Sequence, residues 1–87
     1  MFAGHFQNYP IFISDRPLKK YYAIVNDKKI YFGSSNHEQY YDLLGHYKHL
    51  NHLDKRRRRL YYARHGLHAA KGSPKWFSHH ILWSLLI

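Results

Sequence analysis

The stretch KKYYAIVNDKKIYFG, residues 19–33, sets two runs of Tyr, Ile, Val and Phe on either side of Asn26-Asp27. Both central residues tolerate the positive φ that a tight two-residue connection demands, so the stretch predicts a β-hairpin. In that register Ala23 faces Ile30 and Tyr21 faces Phe32 on one side, while Tyr22 pairs with Tyr31 on the other. An isolated hairpin is marginal in water and needs one face covered. The helix that follows is the available cover.

Upstream, residues 1–18 read as an irregular or extended arm punctuated by Gly4, Pro10 and Pro17. Its Ile11-Phe12-Ile13 could add a strand to a sheet edge or pack into a partner's groove, and the pattern favours neither. Downstream, Gly33-Ser34-Ser35-Asn36 is a turn. Residues 38–51 show helix-like spacing at Tyr40, Leu43, Leu44 and Tyr47, but Gly45 weakens a helix by about 1 kcal/mol, so the segment reads as partly helical. Asp54 to His65 is the clearest helix, with Asp54 as N-cap and Gly66 as its left-handed stop. Leu53, Leu60, Tyr61 and Leu67 fall along one side, flanked by the stems of Arg57 and Arg64. Residues 68–75 form a loop, and residues 76–87 read as a short helix opened by Ser73 or Pro74. The predicted fold is α+β: an arm over 1–18, then a small domain over 19–87. In that domain the hairpin packs on the Arg-rich helix and a short C-terminal helix.

Eighty-seven residues allow one domain with a small core, because a chain of this size buries only roughly 60–65% of its unfolded surface. Such chains lean on disulfides, a metal or a partner. Cysteine is absent, which rules out disulfides and fits a reducing compartment. Fourteen Lys and Arg against five Asp and Glu give a formal charge of +9, which attracts polyanions or acidic protein surfaces. An aromatic content of 18% separates the chain from disordered basic tails, and Tyr and Arg suit interfaces. Met1 to Ile13 lacks the features of a signal peptide. The longest apolar run, Ile81 to Ile87, is far short of a membrane span.

The run Lys55-Arg56-Arg57-Arg58-Arg59, with Arg64, Lys71 and Lys75, could contact phosphates without reading bases. Its bland alternative is a solvated face, or ion pairs with an acidic neighbour. His46, His49 and His52 stand three apart, but without cysteine or a recognised carboxylate motif they read as solvated or hydrogen-bonded rather than metal ligands. No nucleophile elbow, phosphate loop or catalytic carboxylate pair is present, so neither an enzyme nor a cofactor is expected. The crowding of Trp76, Phe77, Ile81, Leu82, Trp83, Leu85, Leu86 and Ile87 into twelve residues reads either as the last core helix or as an exposed interaction patch.

Taken in order, KKYYAIVNDKKIYFGSS, HLDKRRRRLYYARHG and SPKWFSHHILW resemble a family of small basic proteins of uncharacterised function from nucleocytoplasmic large DNA viruses. The matching positions are Phe32, Gly33, His52, Asp54, Arg57, Arg58, Tyr61, Arg64, His65, Trp76, Leu82 and Trp83, over residues 19–83. Asn26-Asp27 stands where the family usually has a Gly-containing pair, and residues 36–51 differ. The resemblance implies a virion-associated role and supplies no catalytic residue. The expectation is a minor capsid protein, made in the host cytoplasm and housed in the virion. It would cement major and other minor capsid proteins through Trp76, Phe77, Leu82, Trp83, Leu86, Arg57, Arg58, Tyr61 and Arg64. The alternative is a sequence-independent nucleic-acid-binding protein packaged with the genome, using Lys55, Arg56, Arg57, Arg58, Arg59, Arg64, Lys71 and Lys75.

Overall fold

The computed structural model describes residues 1–87. Asn26 and Asp27 both take positive φ, 50° and 65°, which is the mirror-image turn whose twist matches paired strands. It joins β3 (Lys19–Val25) to β4 (Lys28–Ser34), and the expected partners Tyr21–Phe32, Tyr22–Tyr31 and Ala23–Ile30 are the observed ones. The N-terminal stretch is extended, but it is not an arm standing apart from a 19–87 domain. It forms β1 (Phe2–Phe6) and β2 (Tyr9–Ile13), and β2 pairs antiparallel with β3 through Ile11–Ala23 and Ile13–Tyr21. The result is a four-stranded meander in the order β1-β2-β3-β4. Burial decides between the two readings of Ile11-Phe12-Ile13, because Ile11 is fully enclosed on the face it shares with Tyr21 and Ala23.

The opposite face carries one ring from each strand. Phe2 packs edge-on to Phe12, Phe12 stacks on Tyr22, and Tyr22 tilts against Tyr31. Lys29 lies over Tyr22 and Arg16 over Tyr31. These rings and cations satisfy one another, and such cross-strand pairs are an ordinary source of sheet stability.

The inner face is covered by the C-terminal segment rather than by the Arg-rich helix. Ser73 caps α2 (Pro74–Phe77) by accepting from the Trp76 N–H, with Pro74 at the first helical position. The backbone then winds more loosely over Ser78–Leu82, and the Trp83 N–H reaches the Ser78 carbonyl five residues back. Helical structure therefore stops at Leu82, short of the expected end at residue 87. Trp76, Phe77, Ile81 and Leu82 interlock with Ile11, Tyr21, Ala23 and Phe32 as one core. Only 16 of 87 residues are buried, so each of these contacts carries a large share of the stability.

Helix α1 (Lys55–His65) has the expected caps: Asp54 accepts from the Arg56 and Arg57 N–H groups, and Gly66 ends it at φ 79°. Its expected apolar side is not a buried stripe. Only Tyr61 is buried, while Leu53, Leu60 and Leu67 are exposed. The helix sits at the rim, docked through Tyr61 and Tyr62, and two tyrosines enclose too little for a whole face to be covered.

Residues 38–51 are irregular apart from a 3₁₀ turn at Lys48–Leu50, less helical than their spacing suggests. Buried Asp42 organises them. Its carboxylate accepts from the Tyr21 hydroxyl and from the Leu44 and Tyr47 N–H groups. Local carboxylate–backbone bonds of this kind compete with a helix, and Gly45 at φ 83° completes the bend.

Candidate nucleic-acid interface

A groove runs between the end of β4 and α1, and a glycine sets it up. Gly33 adopts φ 76°, and a Cβ there would lie 2.8 Å from Leu82 Cδ1. The bare backbone lets Leu82 press against the strand end, which brings Trp83 beside residues 36–38. Trp83 is fixed in turn by α1: its indole stacks on Tyr61 at 4.3 Å with planes 7° apart, and its carbonyl accepts from the Tyr62 hydroxyl at 2.7 Å. The buried Tyr61 hydroxyl pairs with His79 Nδ1, whose Nε2 meets the Gly66 carbonyl. Tyr61 and Tyr62 thus anchor the helix and leave its positive side outward.

Two adjoining cavities of about 440 and 490 Å³ make up the groove, and His37, Glu38, Arg64 and Trp83 border both. At one end Lys19, Lys20, His65 and Lys75 converge. At the other lie Asn36, Arg57 and Leu60. Arg57, Tyr61 and Arg64 recur at four and three residues, so they share the groove-facing side of α1. Glu38 is the sole carboxylate lining either cavity. It pairs with Arg57 at 2.8 Å, both side chains about half exposed, and an exposed pair of that kind is easily exchanged.

The positive charge is largely uncompensated inside the molecule. The two ion pairs present are Arg57–Glu38 and Lys29–Asp15, and Asp54 is occupied with the α1 backbone. Lys20 is only 1% exposed, and its ammonium donates to the His37 carbonyl at 2.7 Å. Burial pulls its pKa down to about 8, against the opposing pull of the Asp42 charge.

The residues expected at an interface divide sharply. Trp76, Phe77, Leu82 and Tyr61 belong to the protein's own interior, with exposures of 8%, 0%, 1% and 7%. Their role as protruding anchors is therefore corrected: an apolar face of this sheet had to be covered, and they cover it. Trp83 is partly exposed and Leu86 is 94% exposed. Arg58 turns inward, donating to the Ser84 carbonyl at 2.8 Å and lying over the Tyr40 ring at 4.1 Å. It serves the fold rather than the surface. Of the remaining basic candidates, Arg57, Arg64 and Lys75 line the groove, while Lys55, Arg56, Arg59 and Lys71 are exposed outside it.

Lys19, Lys20, His37 and His65 were not among the sequence candidates. Lys19 and Lys20 read as the opening of a strand, and only the fold of α1 across that strand's end shows them beside Arg64. His46, His49 and His52 do not converge: no group of three or more His, Cys, Asp or Glu side chains could hold a metal ion. His46 instead meets the Ala3 carbonyl and His52 accepts from the Asp54 N–H. No helix is long and apolar enough to cross a membrane. The chain is thus a small basic α+β domain with a cationic groove. No family model, curated protein or solved structure matches it.

Proposed function

We propose that this protein binds nucleic acid through its phosphates, without reading sequence, using the exposed arginines of α1 and the adjoining groove. The observation that carries the reading is the convergence of Lys19, Arg57, Arg64 and Lys75 on one groove that holds a single carboxylate. Exposed cations gathered along one groove are a phosphate-contacting surface, and no zinc-finger, helix-turn-helix or RNA-recognition pattern accompanies them. The resemblance to proteins of large DNA viruses supplies a setting, in which such a protein would be packaged with the genome.

Measured binding to a duplex of arbitrary sequence should weaken log-linearly with salt, by a slope of ~0.9 per phosphate neutralised. Replacing exposed Arg56 and Arg59 by Gln should flatten that slope by about 1 each while leaving the fold intact. Salt-insensitive binding, or none, would remove the reading.

A second reading is favoured by one observation. Leu85, Leu86 and Ile87 are all exposed, and a contiguous apolar patch suits a protein partner. In this reading the protein is a minor structural component of a virion, docked on larger capsid proteins through that patch and through arginine–carboxylate pairs. Particles emptied of DNA separate the two: a capsid component stays with the shells, and a genome-bound protein leaves with the nucleic acid.

A further inference from the structure

We infer that the groove between β4 and α1 is a slot for a single strand of nucleic acid, with phosphates along Arg57, Arg64, Lys19 and Lys75 and a base against the exposed part of Trp83. This rests on the nucleic-acid reading above and adds to it the form of the ligand and the residue that distinguishes that form.

Phosphates alone would be met by cations alone. Here an indole stands among the cations, at the junction of the two cavities. Tyr61 stacks on one face of the indole, His52 leans on it with ring centroids 5.3 Å apart and planes 56° apart, and the Tyr62 hydroxyl holds the Trp83 carbonyl, so the partly exposed remainder of the ring is a fixed surface rather than a mobile side chain. A cationic groove with a fixed aromatic group is the combination that proteins use for unpaired strands. Every base has a π-face, so such stacking tolerates any sequence. A duplex hides those faces within its own stack and cannot offer them to a recessed indole.

The groove-facing side of α1 offers more than one phosphate contact. Arg57 and Arg64 are seven residues apart on α1, about 10 Å at 1.5 Å per residue. That span lets the two guanidinium groups take separate phosphates of one backbone. The Lys19 and Lys75 end extends the track beyond Arg64. Glu38 is the one group opposed to it, and its exposed pair with Arg57 can give way to a phosphate.

The ring row on the outer face of the sheet is a weaker candidate for the same ligand. Its ring faces are already taken by one another and by Lys29 and Arg16.

The test uses the full chain and four probes of matched charge: a short oligothymidine, a duplex, inorganic polyphosphate and polyglutamate. Binding is followed by anisotropy of a labelled oligothymidine, by competition with the others, and by indole emission. Trp76 is enclosed, so changes in emission report chiefly on Trp83. The oligothymidine should bind about tenfold tighter than the duplex, the factor one stacked base supplies, and should quench the indole where polyphosphate does not. Arg64→Gln should lower the salt slope by about 1, and Glu38→Gln should tighten binding. Trp83→Leu should erase the preference for the single strand while keeping duplex binding. Should that variant fail to fold, the quenching comparison in the unmodified protein decides. Equal affinity for single strand and duplex with no quenching overturns the slot but leaves phosphate binding standing. Polyglutamate binding as tightly as oligothymidine overturns it in favour of an acidic protein surface. Binding to none of the four removes both this inference and the reading beneath it.

Discussion

Replacing Tyr21 by Phe removes a single oxygen from the centre of the molecule. Tyr21 is 0% exposed, and its hydroxyl donates to Asp42, itself 2% exposed. Burial, together with that bond and the Asp42 charge, pushes the phenol far above its ordinary pKa, so it stays a donor at any working pH. The ring keeps its place in Tyr21→Phe, tilted against Phe32 and edge-on to Tyr47. The loss is therefore that of one buried hydrogen bond, with its acceptor left short of a donor, about 1–3 kcal/mol. For 87 residues at ~0.05–0.15 kcal/mol each, the whole stability is roughly 4–13 kcal/mol. A loss of about 2 kcal/mol should lower Tm by about 8–16 °C. Urea unfolding should show an earlier midpoint with an unchanged slope. Asp42→Ala should cost more, about 3–5 kcal/mol, because it orphans the Leu44 and Tyr47 N–H groups as well as the Tyr21 hydroxyl. A double-mutant cycle of Tyr21→Phe with Asp42→Asn should return a coupling of at least ~1 kcal/mol. If Tyr21→Phe stays within ~0.5 kcal/mol of the parent protein, the Tyr21–Asp42 bond does not tie the 38–51 segment to the sheet.

Gly33→Ala meets both a φ of 76° and a Leu82 methyl 2.8 Å from the new Cβ. It should destabilise by about 1–3 kcal/mol in a thermal melt, and an unaltered Tm would mean that Leu82 does not press on the strand end. Acid should also weaken the fold through His52 and His79, whose pKa values are held down chiefly by burial. The unfolded chain binds their protons first, so this stability is complete above about pH 6.5 and is lost as pH falls through the lower folded values. Denaturant midpoints measured across that range should fall with pH, and a flat profile would contradict the burial of these rings.

Local chemistry made two elements readable before any fold was known. The hairpin follows from Asn26-Asp27, residues that accept positive φ where the strand pattern breaks, and its register follows from the turn length. Helix α1 follows from Asp54 and Gly66, which satisfy orphan backbone groups at each end whatever surrounds them. The α+β class rests on these two. The segment at 38–51 misled because its helical spacing says nothing of the Asp42 carboxylate, which reaches the sheet through Tyr21.

What only the tertiary structure decided lies in contacts between distant parts of the chain. Pairing of β2 with β3 turned an apparent arm into half the sheet, through burial of Ile11 against a face assembled from three strands. Trp76 and Trp83 look alike in sequence, seven residues apart, yet one fills the core and the other lines the groove. The reason is that the helical winding stops at Leu82 and turns the second indole towards α1. The groove has the same origin. Lys19, Glu38, Arg64 and Lys75 lie up to 56 positions apart, and charges that far separated along the chain become neighbours only once Leu82 has closed on Gly33.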